Sequence, residues 1–388
     1  MMTTRKEPRE NLSKRRWKIR VPCTSANIGP GFDVLGLALS LYLTLDVKLD
    51  ESKKELKFPK INCFGLGSNE APKDPFKNLI TRVSLYVLRS HSIASFPTGL
   101  AIDVDNQIPF GRGLGSSGAA VVAGVELANA IGDLKLSTER KLDYALMVER
   151  HPDNVAAALL GGFVASYLSE LSVVDLEAAS IPLSEVLPEY PPDADENWGK
   201  SPPRAPQGIG HYIRLNWSSQ IKCVVVVPEF EVSTSKARDV LKDSYSRKDI
   251  VFNFQRLAVL TAALGRSPPD PKLIYEAMQD KIHQPYRKTL IPALPTLTSQ
   301  MKPENNPGLL GICLSGAGPT ILCLATDNFE QIASRVISVW KSEANVDCWW
   351  KVLEVKSFEE SPENFTMDED EGPSFTDRGG SLVTEINY

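Results

Sequence analysis

The 388-residue sequence is short of several things at once. No apolar run approaches the roughly 20 residues that a membrane-spanning helix needs, so nothing in it resembles a membrane span. Lysine and arginine (43) do not outnumber aspartate and glutamate (48), and the net charge of -5 gives no bulk attraction to nucleic acid or to an anionic membrane surface. The six cysteines (Cys23, Cys63, Cys223, Cys313, Cys323, Cys348) lack any C-x-x-C spacing and sit mostly in apolar contexts. That is the pattern of reduced core thiols in a cytosolic protein. There are four histidines, and their spacing supports no His/Cys metal cluster. The one Gly-Lys-Ser, at 199–201, has Ala194 where G-x-x-x-x-G-K-[ST] needs its first glycine, which excludes a Walker A loop. No internal repeat is evident. The first residues, MMTTRKEPRENLSKRRW, are basic but carry no apolar stretch, so they do not read as a secretory signal; Glu7 and Glu10 count against a mitochondrial presequence. Residues 1–16 are expected to be a solvated, flexible tail.

What is present is the composition of an ordinary soluble chain, long enough for two packed domains that need no staples. Residues 17–50 alternate strand-like runs around a Gly/Pro-rich turn. Leu79, Val83, Tyr86 and Val87 recur at helical spacing within 77–91. A strand is expected at 98–104, with helices at about 116–131, from Ser137 to near His151, and at 153–160. KCVVVVPEF at 222–230 reads as a buried strand. Helices are expected at 234–243, 250–264, 270–283 and 287–300, strands at 309–314 and 320–325, a helix at 328–340 and a last strand near 348–355. From Pro182 to Gly210 the chain is dense in proline and acids and poor in periodicity, the mark of a long loop or insertion. This divides the chain into a first domain at 17–215, carrying the insertion 182–210, and a second at 216–356. An acidic flexible tail is expected over 357–388. The class is α+β.

One stretch asks for a chemical explanation: 109-PFGRGLGSSGAAVVAGVELANAI-131. Backbone amides at a helix start have no partners within the helix, and the helix dipole adds partial positive charge there. Gly111, Gly113, Gly115, Ser116, Ser117 and Gly118 would let phosphate oxygens reach those amides without a Cβ in the way. Two other readings stay open on the loop alone. It is a G-x-G-x-x-G match, yet residues 106–110 separate strand from glycines, and the next element looks helical where a dinucleotide fold wants a strand ending in an acid. It also suits a plain tight turn before a helix.

Four strings then resemble a known family. PFGRGLGSSGAA resembles the central signature of the GHMP small-molecule kinases, whose glycine-rich loop clasps ATP phosphates. VPCTSANIGPGFDVLGLAL (21–39), ERHPDNVAAALLGGF (149–163) and LSGAGPTILCLA (314–325) are similar to three further motifs of that family in their homoserine kinase form. They occur in order between Arg20 and Val355. The resemblance implies a two-domain GHMP kinase fold: a ribosomal S5 domain 2-like N-terminal domain plus a ferredoxin-like C-terminal domain, with the site between them. It implies transfer of the ATP γ-phosphoryl group to the hydroxyl of L-homoserine, giving O-phospho-L-homoserine for threonine biosynthesis. Mg²⁺ would come with ATP, and a cytoplasmic homodimer is expected. The alternatives are another GHMP kinase, such as a mevalonate-type enzyme, or a non-catalytic sensor of ATP or an amino acid.

Residue by residue, the resemblance assigns Asp33 to the substrate ammonium and Asn27 and Asn154 to its hydroxyl end. Arginine grips a carboxylate bidentately; the candidates are Arg238, four residues after Thr234 on one helical face, and Arg287. His151 is expected to position the substrate. Pro109, Gly111, Arg112, Gly113, Leu114, Gly115, Ser116, Ser117 and Gly118 are assigned to ATP, with Asn78 at the adenine. Ser116, with Ser117 as alternative, and Glu149, with Glu126 as second choice, are the expected Mg²⁺ donors. Gly316-Ala317-Gly318-Pro319 is expected to turn under the substrate and support the phosphate loop. Asn27, Asn154, Ser116 and Glu149 form the expected catalytic set. Many GHMP kinases use an Asp base about where Asn154 stands, and an amide does not usefully accept a hydroxyl proton. The expected mechanism is therefore positioning plus electrostatics, the proton leaving to phosphate or water.

Overall fold

The computed structural model describes residues 14–170, 172, 202, 204–355 and 380–386. They build two sheets. The larger is ordered β11-β1-β2-β4-β3, with β5 bridging β2 to β6. Its strands are β1 (Lys14–Ala26), β2 (Leu35–Asp50), β3 (Lys60–Gly65), β4 (Leu100–Asn106), β5 (Phe163–Leu168), β6 (Gly210–Leu215) and β11 (Leu382–Ile386). In β2, Leu43, Leu45, Val47 and Leu49 are buried while Thr44, Asp46, Lys48 and Asp50 between them are not. That period of two sets the register, because a one-residue slip would turn the leucines to solvent. The more exposed face is tied by Arg16 to Asp46 and by Lys48 to Asp103 at 2.9 Å.

Helices α1 (Leu79–Ser90), α2 (Ser116–Ile131), α3 (Thr138–Glu149) and α4 (Pro152–Leu160) pack with this sheet. The small-residue helix α2 is their centre, touching β1, α1, α3 and α4. Its run Val121–Ala128 is buried throughout, as a helix apolar on every side must be.

The second sheet is ordered β10-β7-β9-β8, every neighbour antiparallel. It comprises β7 (Lys222–Pro228), β8 (Leu309–Leu314), β9 (Ile321–Ala325) and β10 (Cys348–Leu353). Counted along the chain, that is fourth-first-third-second, the ferredoxin-like order. The first crossover holds α5 (Thr234–Asp239), α6 (Arg247–Ala263), α7 (Pro271–Ala277), α8 (Gln284–Arg287) and α9 (Leu294–Gln300); α10 (Phe329–Ala344) spans β9 to β10. The four valines of β7 are all buried because both faces are covered. Val224 and Val226 meet Val336 and Trp340 of α10, while Val225 and Val227 join a core continuous with Cys23 and Ile28 of the first sheet's domain. The two halves share a core, so the crevice between them has firm walls.

Several expectations change. Of the helix expected over 287–300 only α9, from Leu294, forms, since Pro292 and Pro295 deny the rest backbone donors; α8 ends at Arg287. The one expected over 270–283 stops at Ala277; beyond it the Asp280 carboxylate accepts the backbone N–H groups of Ile282, His283 and Gln284 at 2.9, 3.0 and 2.7 Å and starts α8. Strands β3, β5 and β6 lacked a clear signal. The expected tail over 357–388 ends in a strand instead, with Ile19 opposite Val383 in an antiparallel β1–β11 pair; residues 357–379 and 387–388 lie outside the described residues. Of the expected tail 1–16, Lys14–Arg16 belong to β1 and 1–13 lie outside the described residues. The insertion 182–210 is described at 202 and from 204 onward, where Asp143 accepts the N–H groups of Gly208 and Ile209 at 3.1 and 3.0 Å. Among the described residues no helix is long and apolar enough to cross a membrane. All six cysteines are free.

Candidate active site

The glycine loop hangs from both halves by its carbonyls. Gly111 O accepts from Val232 N (3.1 Å), Arg112 O from Thr320 N (3.3 Å), Gly113 O from the Ser315 hydroxyl (2.6 Å) and Leu114 O from Thr24 N (3.1 Å). Leu114 is buried beneath. Pro109 enters from a turn stapled by Asn106, whose amide bonds Leu66 O at 2.9 Å and Ile108 O at 2.8 Å. With those carbonyls engaged, what the loop leaves for a ligand is the first-turn amides of α2 at Ser116, Ser117 and Gly118, which have no acceptor within the helix. Glycine is required at 113 and 115, where φ is 76° and 68° and an added Cβ would strike the Ser315 carbonyl and the Thr24 hydroxyl. The Arg112 guanidinium turns aside to Phe230 O (2.9 Å).

Two cavities meet at this loop. One is a cleft of about 450 Å³, mainly apolar, walled by Leu43, Phe64, Leu66, Leu79, Val104 and Phe110. The other is a polar pocket of about 170 Å³ that brings together Asn27, His151, Asn154, Thr234, Arg238 and Arg287. Gly111, Ser116 and Ser117 line both. Asn78 lines the apolar cleft, but its Oδ1 caps α1 through Ile80 N (3.0 Å) and its Nδ2 donates to Pro72 O (2.8 Å). Each polar end is thus fixed by the fold, with a second Nδ2 proton and a second Oδ1 lone pair beyond those bonds.

The polar pocket is a cluster of charges. Asp33 sits in the left-handed region (φ 56°), held by a turn in which Asn27 Oδ1 accepts Asp33 N at 2.8 Å. Its carboxylate is gripped bidentately by Arg238 at 2.6 and 3.0 Å. Phe32 lies under both arginines, 5.3 Å from the Arg238 guanidinium and 5.4 Å from that of Arg287. Arg287 is buried and donates to Gly316 O (2.8 Å) and Ala237 O (3.2 Å). Burial, and then Arg238, push its pKa down to about 10, which leaves it a cation at neutral pH. His283 stacks on Phe32 and meets Gly29 O at 2.7 Å; burial lowers its pKa. His151, the N-cap of α4, is held down to about 4 by burial and by Arg238, and is neutral. Thr234 opens α5 one turn before Arg238.

Of the two candidate serines, Ser117 is the one that meets Glu149, donating to its carboxylate at 3.1 Å. Glu126 turns elsewhere, paired with Lys141 at 2.9 Å and accepting the Ser381 hydroxyl at 2.7 Å. The third motif reaches the loop through Ser315, and Gly316 N donates to Ala26 O at 3.0 Å. Sequence reasoning passed over Thr24, Phe32 and Asp153, although each lies inside a motif it quoted. It also passed over the apolar wall from Cys63 to Pro72, for which no local signal exists.

An apolar cleft and a small ionic pocket joined at unfilled helix amides define a phosphotransferase acting between a nucleotide and a small polar molecule. Residues 78–162 match the model of the GHMP kinases N terminal domain, and residues 260–342 that of the GHMP kinases C terminal domain. The chain belongs to the homoserine kinases of this family. It is 52% identical to the homoserine kinase of Saccharomyces cerevisiae, covering 88% of this chain and 96% of that one. It is 51% identical to that of Candida albicans over 87% and 96% of the two chains. The solved homoserine kinase of Cytophaga hutchinsonii superposes with a TM-score of 0.64 at 25% identity, over 88% of this chain and 95% of that one. A Leishmania major mevalonate kinase shares the fold at a TM-score of 0.55 and 13% identity, over 89% of this chain and 97% of its own.

Proposed function

We propose that the chain transfers the γ-phosphoryl group of ATP to the side-chain hydroxyl of L-homoserine in the cytoplasm, giving ADP and the O-phospho-L-homoserine used for threonine biosynthesis. The carrying observation is that Gly111, Ser116 and Ser117 line the apolar cleft and the ionic pocket together. A purine in the first and an amino alcohol in the second would have their reacting groups meet over the α2 amides. Those amides and the helix dipole stabilise the charge that builds on the phosphates.

The ionic pocket suits a zwitterion. Arg287 and Arg238 take the carboxylate and Asp33 the ammonium, so entry of the substrate exchanges the Asp33–Arg238 pair for two new ones. Asn154 and Asn27 stand at the hydroxyl end, Thr234 and the neutral His151 along the side. Ser117 and Glu149 fit Mg²⁺: both offer hard oxygens, and two protein donors leave the remaining positions to phosphate and water. When bound, the ion neutralises charge on the transferring phosphate. The chain's own residues do the rest by alignment.

A homodimer belongs to the same proposal. It is supported by an apolar side of α6 on which Val251, Phe254 and Val259 are 45%, 64% and 42% exposed. Light scattering on the protein and its Phe254→Asp variant checks this: a dimer mass falling to a monomer mass supports it, and a monomer in both refutes it. The activity is tested by following ADP release with a panel of hydroxy amino acids and isoprenoid alcohols. L-homoserine should drive release, and mevalonate should not. Release indifferent to homoserine would defeat the proposal.

A further inference from the structure

We propose that Thr24 and Asp153 are a pair of positioning residues that decide which end of the Asn154 side-chain amide faces the reacting hydroxyl, an inference that rests on the homoserine-phosphorylating reading and deepens it. Thr24 is fully buried near the end of β1. Its backbone N–H donates to Leu114 O at 3.1 Å, and its hydroxyl donates to Asn154 Oδ1 at 2.7 Å. The same hydroxyl lies so close under Gly115 that no Cβ fits there. A single side chain thus joins the first strand, the phosphate loop and the amide on α4.

Asp153 flanks Asn154 from the other side. It is buried, its Oδ1 accepts the Asn154 backbone N–H at 2.9 Å, and that oxygen stands 3.5 Å from Asn154 Nδ2. An asparagine amide has nearly the same shape in its two orientations, but it presents an acceptor in one and donors in the other. In the reversed orientation Asn154 Oδ1 would face Asp153 Oδ1, two acceptors set against each other away from water, where such opposition is costly. Asp153 Oδ1 is an acceptor in either protonation state of the carboxyl, because it already receives a backbone N–H. Asp153 therefore rejects one orientation while Thr24 completes the other.

The consequence is that Asn154 offers N–H, not C=O, to the pocket. One Nδ2 proton lies on the Asp153 side and the other is left for the substrate. A donor there holds the homoserine oxygen by a lone pair and turns that oxygen's own proton away from Asn154, toward the phosphate. The step balances without a protein base. The homoserine O–Pγ bond forms, the bond from Pγ to the β-phosphate oxygen breaks with its electron pair leaving on ADP, and the hydroxyl proton passes to an oxygen of the transferred phosphate.

The test uses the full-length protein with Mg-ATP and L-homoserine. Thr24→Val keeps the shape and removes the hydroxyl, and Thr24→Ser restores it. The Val variant should lose about 10- to 100-fold in kcat, the scale of a small misalignment of reacting groups, with both KM values held within about threefold. The Ser variant should recover to within about threefold of the parent. Asp153→Leu, which removes the acceptor, should also lower kcat with little change in KM. Asp153→Asn, which keeps an Oδ1 for the Asn154 backbone N–H, should stay within about threefold of the parent. The Thr24→Val/Asp153→Leu double variant should lose no more than the worse single change. Equal kcat in the Val and Ser variants would reduce Thr24 to packing and overturn the proposal. Loss of activity in Asp153→Asn with none in Thr24→Val would make Asp153 the proton acceptor and overturn it as well. Should the Val variant fail to fold, Asp153→Leu against Asp153→Asn decides: loss in Leu with activity kept in Asn supports the proposal, and equal loss in both overturns it. Asn154→Ala is read separately: full activity there would remove Asn154 from the reaction and overturn the underlying assignment, whatever the Thr24 variants do.

Discussion

Replacing Asp33 with asparagine removes one charge from the ionic pocket and leaves its outline and left-handed backbone intact, since Asn tolerates a φ of 56°. Two effects oppose each other. In the free protein Asp33 holds Arg238 at 2.6 and 3.0 Å, with both side chains 31% exposed. A pair that open to solvent contributes about 0.2–1 kcal/mol, and substrate entry gives it up. In the complex Asp33 would bond the substrate ammonium, an interaction worth about 1.5–3 kcal/mol. Asp33→Asn loses the second term and is spared the first, a net of about 1.5 kcal/mol, or roughly a tenfold rise in the homoserine KM. Initial-rate measurements of ADP release should show that rise with the ATP KM unchanged within about twofold. The deaminated analogue 4-hydroxybutyrate adds a second arm. The parent should discriminate against it, and Asp33→Asn should do so about tenfold less. An unchanged homoserine KM, or a parallel rise in both KM values, would show that Asp33 closes its turn and does not read the ammonium.

Other outcomes follow from the same geometry. Arg287→Lys loses the planar fork that meets Ala237 O and Gly316 O and should raise the homoserine KM by about 10- to 100-fold with little effect on ATP; equal effects on both substrates would refute the assignment. Glu149→Gln should raise the Mg²⁺ concentration needed for half-maximal rate, measured by metal titration at saturating ATP, while Ser116→Ala does so less than Ser117→Ala because Ser117 is the serine on Glu149. Burial, then Asp33, raises the pKa of Asp153 to about 7, against Arg238 and Arg287. The unfolded chain releases that proton near its ordinary pKa of about 3.9, so between there and about 7 the native state holds more protons and stability falls as pH rises. Asp153→Asn should therefore melt higher than the parent at pH 8 and lose that advantage near pH 4. A lower melting temperature at pH 8 would contradict it.

How far the sequence spoke depended on the distance over which each feature is written. The α2 entrance was legible because bare glycines before a helix have few other uses, and the β7 valines because four in a row need two covered faces. Motifs pointed to Asn154, Glu149 and the arginines, which line one pocket, and to Asp33 beside it on Arg238, but not to their partners. That Asp33 faces Arg238 in the free protein depends on residues 205 positions apart, and that Thr24 reaches Asn154 on a pair separated by 130. Local pattern carries neither. Asn78 stands on the wall of the apolar cleft, where its motif position put it, but its capping bonds show only once α1 has a beginning. Ser116 and Ser117 are identical in type and adjacent, and only the helical turn that aims Ser117 at α3 separates them. β11 went unread because a five-residue strand at an edge, at the end of a long polar stretch, gains its stability from β1, more than 360 residues earlier in register (Ile19 opposite Val383).

The central claim is that α2's first amides grip a triphosphate with a homoserine oxygen aimed at its terminal phosphorus. Diffraction from crystals grown with a non-hydrolysable ATP analogue and L-homoserine tests it most directly. The predicted density places the base among Phe64, Leu66 and Phe110, the phosphates on the amides of Ser116–Gly118, and the homoserine hydroxyl between Asn154 and the γ-phosphorus. Nucleotide bound away from that loop, or homoserine outside the Asp33–Arg287 pocket, would contradict it.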